Sequence, residues 1–247
     1  MKIQPPTLLL FDADNTLLDF TASQTWALSH TLARFGMDDT PAVHELYSRI
    51  NHRLWAQLES QSISSQELRL ERFRLLLETL DTPADHRALS SSYLEFLAQG
   101  THLVPGARQL VSQLHGIVPM AIATNGIKEI QHSRLKGSGL AGFFEEIIVS
   151  EEAGAAKPDQ RFFSYAFSQL GFSPADRPRG GRVVMIGDSL SSDIRGGNLA
   201  GIHTCWFNPG NTPAPEPMSQ DSPTYTITAL DEVLVLPGLK EQLSVPG

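Results

Sequence analysis

Leu8-Leu9-Leu10-Phe11-Asp12-Ala13-Asp14-Asn15-Thr16-Leu17 carries an apolar run of large side chains straight into two carboxylates spaced two apart. The run reads as a buried strand. Alternate residues of an extended chain project to the same side, so Asp12 and Asp14 can face a common ligand where the strand gives way to its loop. Two anions that close repel unless a cation or a proton stands between them. One solution is a hard divalent ion such as Mg²⁺, which takes carboxylate oxygens. Another is a division of labour in which one acid attacks and the other shuttles a proton. A solvated turn or a helix cap would also use such residues.

Three further apolar runs end the same way. Ile117 to Ala123 leads into Thr124-Asn125-Gly126, Glu146 to Val149 into Ser150 and then Ala156-Lys157-Pro158-Asp159, and Arg182 to Ile186 into Gly187-Asp188-Ser189. From Pro105 onward, strand-like runs alternate with helical spacing: helices are expected to His115 and over 127–136, 160–170 and 193–200, with strands at 147–149 and 202–207. Such alternation implies an α/β fold, a Rossmann-like doubly wound and mainly parallel sheet covered on both faces. In that architecture the ligand crevice lies outside the carboxyl ends of the strands. Acids, hydroxyl and lysine, far apart in sequence, therefore meet in one place. Thr124 and the amides of Asn125 and Gly126 suit phosphate oxygens, although Thr-Asn-Gly alone is also a turn signal. Lys157 precedes Pro158, expected to open a helix, and would act as a point charge.

The order Asp-x-Asp-x-Thr, Thr-Asn, Lys-Pro and Gly-Asp, with a further acid at Asp193, resembles the haloacid dehalogenase superfamily, most of whose members are Mg²⁺-dependent phosphohydrolases. The strings Ser150-Glu151-Glu152-Ala153-Gly154-Ala155-Ala156-Lys157-Pro158 and Gly187-Asp188-Ser189-Leu190-Ser191-Ser192-Asp193-Ile194-Arg195-Gly196-Gly197, with Thr204-Cys205-Trp206-Phe207-Asn208, are similar to the subgroup of pyrimidine 5′-nucleotidases and N-acylneuraminate-9-phosphatases. That resemblance implies Asp12 as nucleophile, forming an aspartyl phosphate, and Asp14 as acid and base. It also implies Mg²⁺ on the Asp12 and Asp188 carboxylates and the Asp14 carbonyl. Asp193 would orient these ligands, or serve as a helix-dipole partner. The implied substrate is a small phosphate monoester, a nucleoside 5′-monophosphate first and a sugar phosphate second. A phosphorylatable signalling receiver also joins acids, Thr and Lys on a parallel sheet, but its phosphorylated Asp lies on a later strand.

Between Phe20 and about Gly100 the period changes to three and four, through Trp26, Leu28, Leu32, Phe35, Val43, Leu46, Tyr47, Ile50, Leu54, Trp55 and Leu58, and again over Glu67 to Leu80. An all-helical insertion is expected over 20–100, interrupting a core formed by 1–19 and 101–247, and it resembles the helical cap of the superfamily. Phe20, Trp26, Tyr47, Trp55 and Phe73 are candidates to stack a base and Arg53 or Arg72 to read its edge, though helical spacing alone predicts that most are buried. Lys and Arg number 19 against 27 acids, net charge −8, with no dense basic run. A polynucleotide partner is therefore not expected. A lone Cys205 suits a reducing cytoplasm, and no run approaches the ~18 apolar residues of a membrane span. The proline-rich 209–223 reads as a surface loop, followed by an edge strand over 225–228 and a short helix over 230–236.

Overall fold

Leu8–Phe11 forms strand β1, with all four residues buried. Its pleat splits them between two layers. Leu9 and Phe11 join one apolar cluster with Leu110, Leu114 and Leu135, while Leu8 and Leu10 join another with Phe162, Phe163 and Phe167. A strand buried on both faces needs helices on both, which is why its sequence is continuously apolar rather than alternating. Each such side chain contributes roughly 1.5–3 kcal/mol of burial.

The computed structural model describes residues 5–60, 62–172, 183–216 and 219–240. After β1 come helices α1 (Phe20–Arg34), α2 (Pro41–Glu59), α3 (Ser65–Thr79) and α4 (His86–Leu97). Next are α5 (Ala107–Leu114), β2 (Met120–Thr124), α6 (Lys128–Gly137), β3 (Glu146–Val149) and the short α7 (Ser150–Ala153). The chain continues through α8 (Gln160–Gln169), β4 (Val183–Gly187), α9 (Arg195–Leu199), β5 (His203–Phe207) and β6 (Tyr225–Ile227). The six strands form one sheet in the order β3-β2-β1-β4-β5-β6, and every pairing is parallel. The chain winds outward from β1 to β3, returns beside β1 at β4, and winds the other way. The order therefore reverses between β1 and β4, where ligands bind in open α/β sheets. This is the doubly wound fold expected from the alternation of runs.

Contacts divide the chain into two compact units, Met1–Asp19 with Thr101–Gly247, and Phe20–Gly100. The second is all-helical. Thr40 and Asp85 cap α2 and α4 through their side chains, and Ser64 and Glu67 form a reciprocal capping box at α3. Tyr47, Phe73 and Tyr93 meet at its centre with ring centroids 5.3–5.5 Å apart. No described helix is long and apolar enough to cross a membrane.

Several boundaries differ from those expected of the sequence. β2 starts at Met120 rather than Ile117: Gly116 is left-handed, with φ of 77°, and Pro119 has no N–H to give the ladder. Pro158 does not open a helix. Its bond to Lys157 is cis, and α8 begins at Gln160, where the Asp159 carboxylate caps the Arg161 N–H at 2.8 Å. The helix expected over 193–200 is a π-turn, Leu190–Ile194, running into α9. Within the loop of 209–223, the described residues form no strand or helix. The final turn, Leu230–Val235, is 3₁₀.

Candidate active site

Asp12 is held at the switch point by its backbone, because its N–H donates to the Ile186 carbonyl at 2.8 Å and extends the β1–β4 pairing one residue past the strand. Lys157 arrives from the other side of β1. Its Nζ donates to Asp12 Oδ1 at 2.7 Å, to Asp193 Oδ1 at 2.6 Å and to the Ala123 carbonyl at 2.5 Å. An ammonium has three protons to give, so a lysine only 1% exposed is fully satisfied. Asp193 reaches this point because Gly187 lacks a side chain: a Cβ there would sit 2.1 Å from Asp193 Oδ2. The other end of Asp193 accepts the Ser189 N–H at 3.1 Å. Trp206 Nε1 fixes the Asp188 carbonyl at 2.9 Å.

Three acids, Asp12, Asp188 and Asp193, can each bring a carboxylate oxygen within 4.8 Å of the others. One lysine faces them, so negative charge remains. Burial pushes the Asp12 carboxyl well above the usual carboxylate range; Lys157 opposes the shift, and the charges of Asp193, Asp188 and Asp14 add to it. Asp188 is pushed up to about 7, by burial first and then by Asp193. Burial draws the Lys157 amine down, but the Asp12 and Asp193 charges outweigh it and hold the pKa above its ordinary value. Excess anionic charge on hard oxygen donors is the condition that a divalent ion relieves. The donor set fits Mg²⁺. Asp193, expected to orient the ligands, has its carboxylate inside this cluster.

Asp14 faces a different set of partners. Its Oδ1 accepts from Arg134 Nη1 at 2.5 Å and its Oδ2 from Gln131 Nε2 at 2.8 Å. The same Gln131 amide nitrogen donates to Thr124 Oγ1 at 2.8 Å. Asn125 spends its side chain on the Lys157 backbone, accepting from its N–H at 2.8 Å and donating to its carbonyl at 2.9 Å. The Gly126 N–H donates to Ser150 Oγ at 3.2 Å. The Thr-Asn-Gly loop thus clamps the lysine loop beside it. Gln131 and Arg134 are not among the residues that sequence motifs single out. Only the fold reveals them: α6 buries Ile130, Gln131, Arg134 and Leu135, and two polar residues on a buried stripe call for a buried partner.

In the helical unit, Tyr47 and Phe73 are fully buried, while Phe20, Trp26 and Trp55 are half-buried. Trp26 packs on His30 and Phe96, with centroids at 4.2 and 5.8 Å. Arg72 is buried with its guanidinium 4.5 Å from the Tyr93 ring and Nη1 3.4 Å from Asn51 Oδ1. Arg53 is exposed and lines a surface cleft with Glu67, Glu71 and His86.

Known proteins resemble this chain along most of its length. The pyrimidine 5′-nucleotidase PynA of Streptococcus pneumoniae is 39% identical over 228 residues, covering 92% of each chain, and the pyrimidine 5′-nucleotidase YjjG of Escherichia coli is 33% identical over 91% of this chain and 95% of its own. The HAD-hydrolase YfnB of Bacillus subtilis is 37% identical over 96% of this chain and 97% of its own. Its magnesium-bound crystal structure superposes with a TM-score of 0.86, covering 98% of this chain and all of that one. The haloacid dehalogenase-like hydrolase profile matches residues 6–201. A match across the switch-point acids and the lysine, together with relatives of this identity over nearly the whole length, shows that the chain belongs to the haloacid dehalogenase-like hydrolase family.

Proposed function

We propose that the protein is a Mg²⁺-dependent phosphatase of nucleoside 5′-monophosphates, with pyrimidine nucleotides preferred. One observation carries the chemistry: Asp12, buried at the β1–β4 switch point with Lys157 2.7 Å away, is a carboxylate placed and charge-compensated for attack. The nucleotide preference rests on the likeness to PynA and YjjG.

A phosphate monoester is a dianion, and its charge must be met before an oxygen can attack in line. Lys157 and the Thr124 hydroxyl do this from the protein side. Asp12 attacks phosphorus as the ester P–O bond breaks, and Asp14 gives its proton to the departing oxygen, so the alcohol leaves neutral. In the second half, Asp14 takes a proton from water as the water oxygen bonds to phosphorus. The P–Oδ bond to Asp12 then breaks, and inorganic phosphate is released. The Asp12 and Asp188 carboxylates and the Asp14 carbonyl, with Asp193 beside them, would hold Mg²⁺, which when bound would supply Lewis-acid neutralisation of phosphate charge.

The test is phosphate release from a panel of nucleoside monophosphates and sugar phosphates, with Mg²⁺ and with EDTA. Turnover is expected only with metal, with the highest kcat/KM on pyrimidine nucleotides. Full turnover in chelator would remove the metal. A preference for N-acylneuraminate 9-phosphate over every nucleotide would replace the substrate and leave the chemistry. A stable aspartyl phosphate without turnover would point to a signalling receiver.

A further inference from the structure

Gln131 and Arg134 sit on the buried face of α6, in its first two turns, and the chemistry described above gives neither of them a role. Arg134 is 1% exposed and Gln131 is equally enclosed. Their bonds form one connected path. Arg134 Nη1 donates to Asp14 Oδ1 at 2.5 Å and to Gln131 Oε1 at 3.0 Å. The Gln131 amide nitrogen then donates to both Asp14 Oδ2 and Thr124 Oγ1, each at 2.8 Å.

Each bond has a directional consequence. A threonine hydroxyl has one proton and two lone pairs. When Gln131 fills one lone pair of Thr124, the hydroxyl proton is left to be donated, and a phosphate oxygen is an acceptor. Arg134 fixes which end of the Gln131 amide faces which way: a guanidinium only donates, so Oε1 must face Arg134 and the NH₂ must face Asp14 and Thr124. The two donors to Asp14 also hold both of its oxygens on the α6 side, apart from the cluster of Asp12, Asp188 and Asp193. Packing enforces the geometry, since a Cβ at Gly126 would fall 2.7 Å from Gln131 Cγ.

We propose that Gln131 and Arg134 are positioning residues that couple the acid/base Asp14 to the phosphate-binding Thr124, so that proton transfer and phosphate binding are set by one hydrogen-bonded unit. The proposal rests on the roles assigned above to Asp14 and Thr124. It says that Arg134 orients Gln131, and that Gln131 serves both halves of the site at once.

The experiment compares kcat/KM, which reports the half-reaction in which the leaving group departs, on an alkyl phosphate, whose poor leaving group needs the proton, with kcat/KM on p-nitrophenyl phosphate, whose leaving group hardly does. Wild type, Gln131→Leu, Arg134→Met, Arg134→Lys and Asp14→Asn are compared with Mg²⁺, and folding is checked by thermal unfolding. Asp14→Asn is expected to lower the alkyl-to-aryl ratio by more than 10-fold. Gln131→Leu and Arg134→Met should each lower it by at least 5-fold, and Gln131→Leu should in addition raise the inhibition constant of inorganic phosphate. Arg134→Lys, which keeps a cationic donor, should recover part of the ratio. In the Asp14→Asn background, Arg134→Met should change the ratio less than 2-fold, because its effect passes through Asp14. Loss of folded fraction lowers both rates together and leaves the ratio unchanged, so a structural role alone cannot produce this pattern. A ratio within 2-fold of wild type for both Gln131→Leu and Arg134→Met, with Asp14→Asn still depressed, overturns the coupling alone. An unchanged ratio in Asp14→Asn overturns the Asp14 role and the coupling with it.

Discussion

At the scale of single residues, the site is a problem in charge. Asp188 sits beside Asp193 and Asp12, and burial first, then the charges of Asp193 and Asp14, push its carboxyl up to about 7 against the opposing pull of Lys157. A folded-state pKa raised from 3.8 means that the fold favours the protonated acid. The associated stability is complete below the ordinary carboxylate range and lost as pH climbs towards about 7. Asn mimics the protonated form. Without metal, Asp188→Asn and wild type should therefore melt together near pH 4, and the variant should melt higher by pH 8, by a gap on the order of a few °C. Millimolar Mg²⁺ should reverse the order at pH 8, because a ligand that binds only the folded wild type stabilises it by mass action. Thermal scans across pH, with and without Mg²⁺, measure both differences; a variant that never melts above metal-free wild type would show that Asp188 carries no such penalty. Asp12, Asp14 and Asp188 are legible in the sequence because each stands at or just past the end of an apolar run, and Lys157 and Asp193 because they complete the ordered motifs. Gln131 and Arg134 are not, because a polar residue on a helix is ordinarily a solvated one, and only the fold shows that their face of α6 is inside.

Among elements, legibility follows burial. β1 and β4 can be placed to within a residue or two, since a short, continuously apolar run that ends in acids suits a strand covered on both faces. The segment after β4 cannot, since Ser-Leu-Ser-Ser-Asp competes for its own backbone: Ser189 Oγ caps the Ser192 N–H at 3.2 Å and the chain takes a π-turn before α9. α9 then lies against its neighbours through two glycines. A Cβ at Gly196 would meet Phe163 Cε2 at 2.6 Å and the Pro158 Cα at 3.1 Å. Helix propensity favours Ala over Gly by about 1 kcal/mol, whereas overpacking a core costs about 1–3 kcal/mol, and here the obstacle includes backbone. Gly196→Ala should be net destabilising by about 1–2 kcal/mol. Gly142→Ala, with nothing within 4 Å of the added carbon, should be neutral or slightly stabilising. Urea unfolding of the pair measures the contrast, and a Gly196→Ala protein as stable as wild type would mean that α9 can move away from Pro158 at no cost.

For the whole molecule, the notable fact is how the helical unit is attached. Asp19 N–H donates to the His102 carbonyl at 2.9 Å, and Leu18 bridges to Leu103 in antiparallel fashion. The two ends of the 20–100 insertion are thus already paired within the α/β unit, and closing the gap between them demands little loop entropy. Asp12, Asp14, Thr124, Gln131, Arg134, Lys157, Asp188 and Asp193 all belong to that unit, while the helical unit has its own buried centre in Tyr47, Phe73 and Tyr93. Helical periodicity makes this division readable from sequence. It cannot separate aromatics that fill the helical interior from those that remain half-exposed, since both recur at the same spacing. If chemistry resides in one unit, a chain in which 20–100 is replaced by a short Gly-Ser linker should still fold, with the α/β far-ultraviolet signature. It should hydrolyse p-nitrophenyl phosphate in Mg²⁺, and it should discriminate nucleotides from sugar phosphates far less than the full chain does. A folded but inactive deletion would place an essential catalytic group among residues 20–100. Undiminished discrimination would locate substrate choice in the α/β unit, and an unfolded product would show that the paired neck at Asp19 and His102 does not suffice to keep that unit intact.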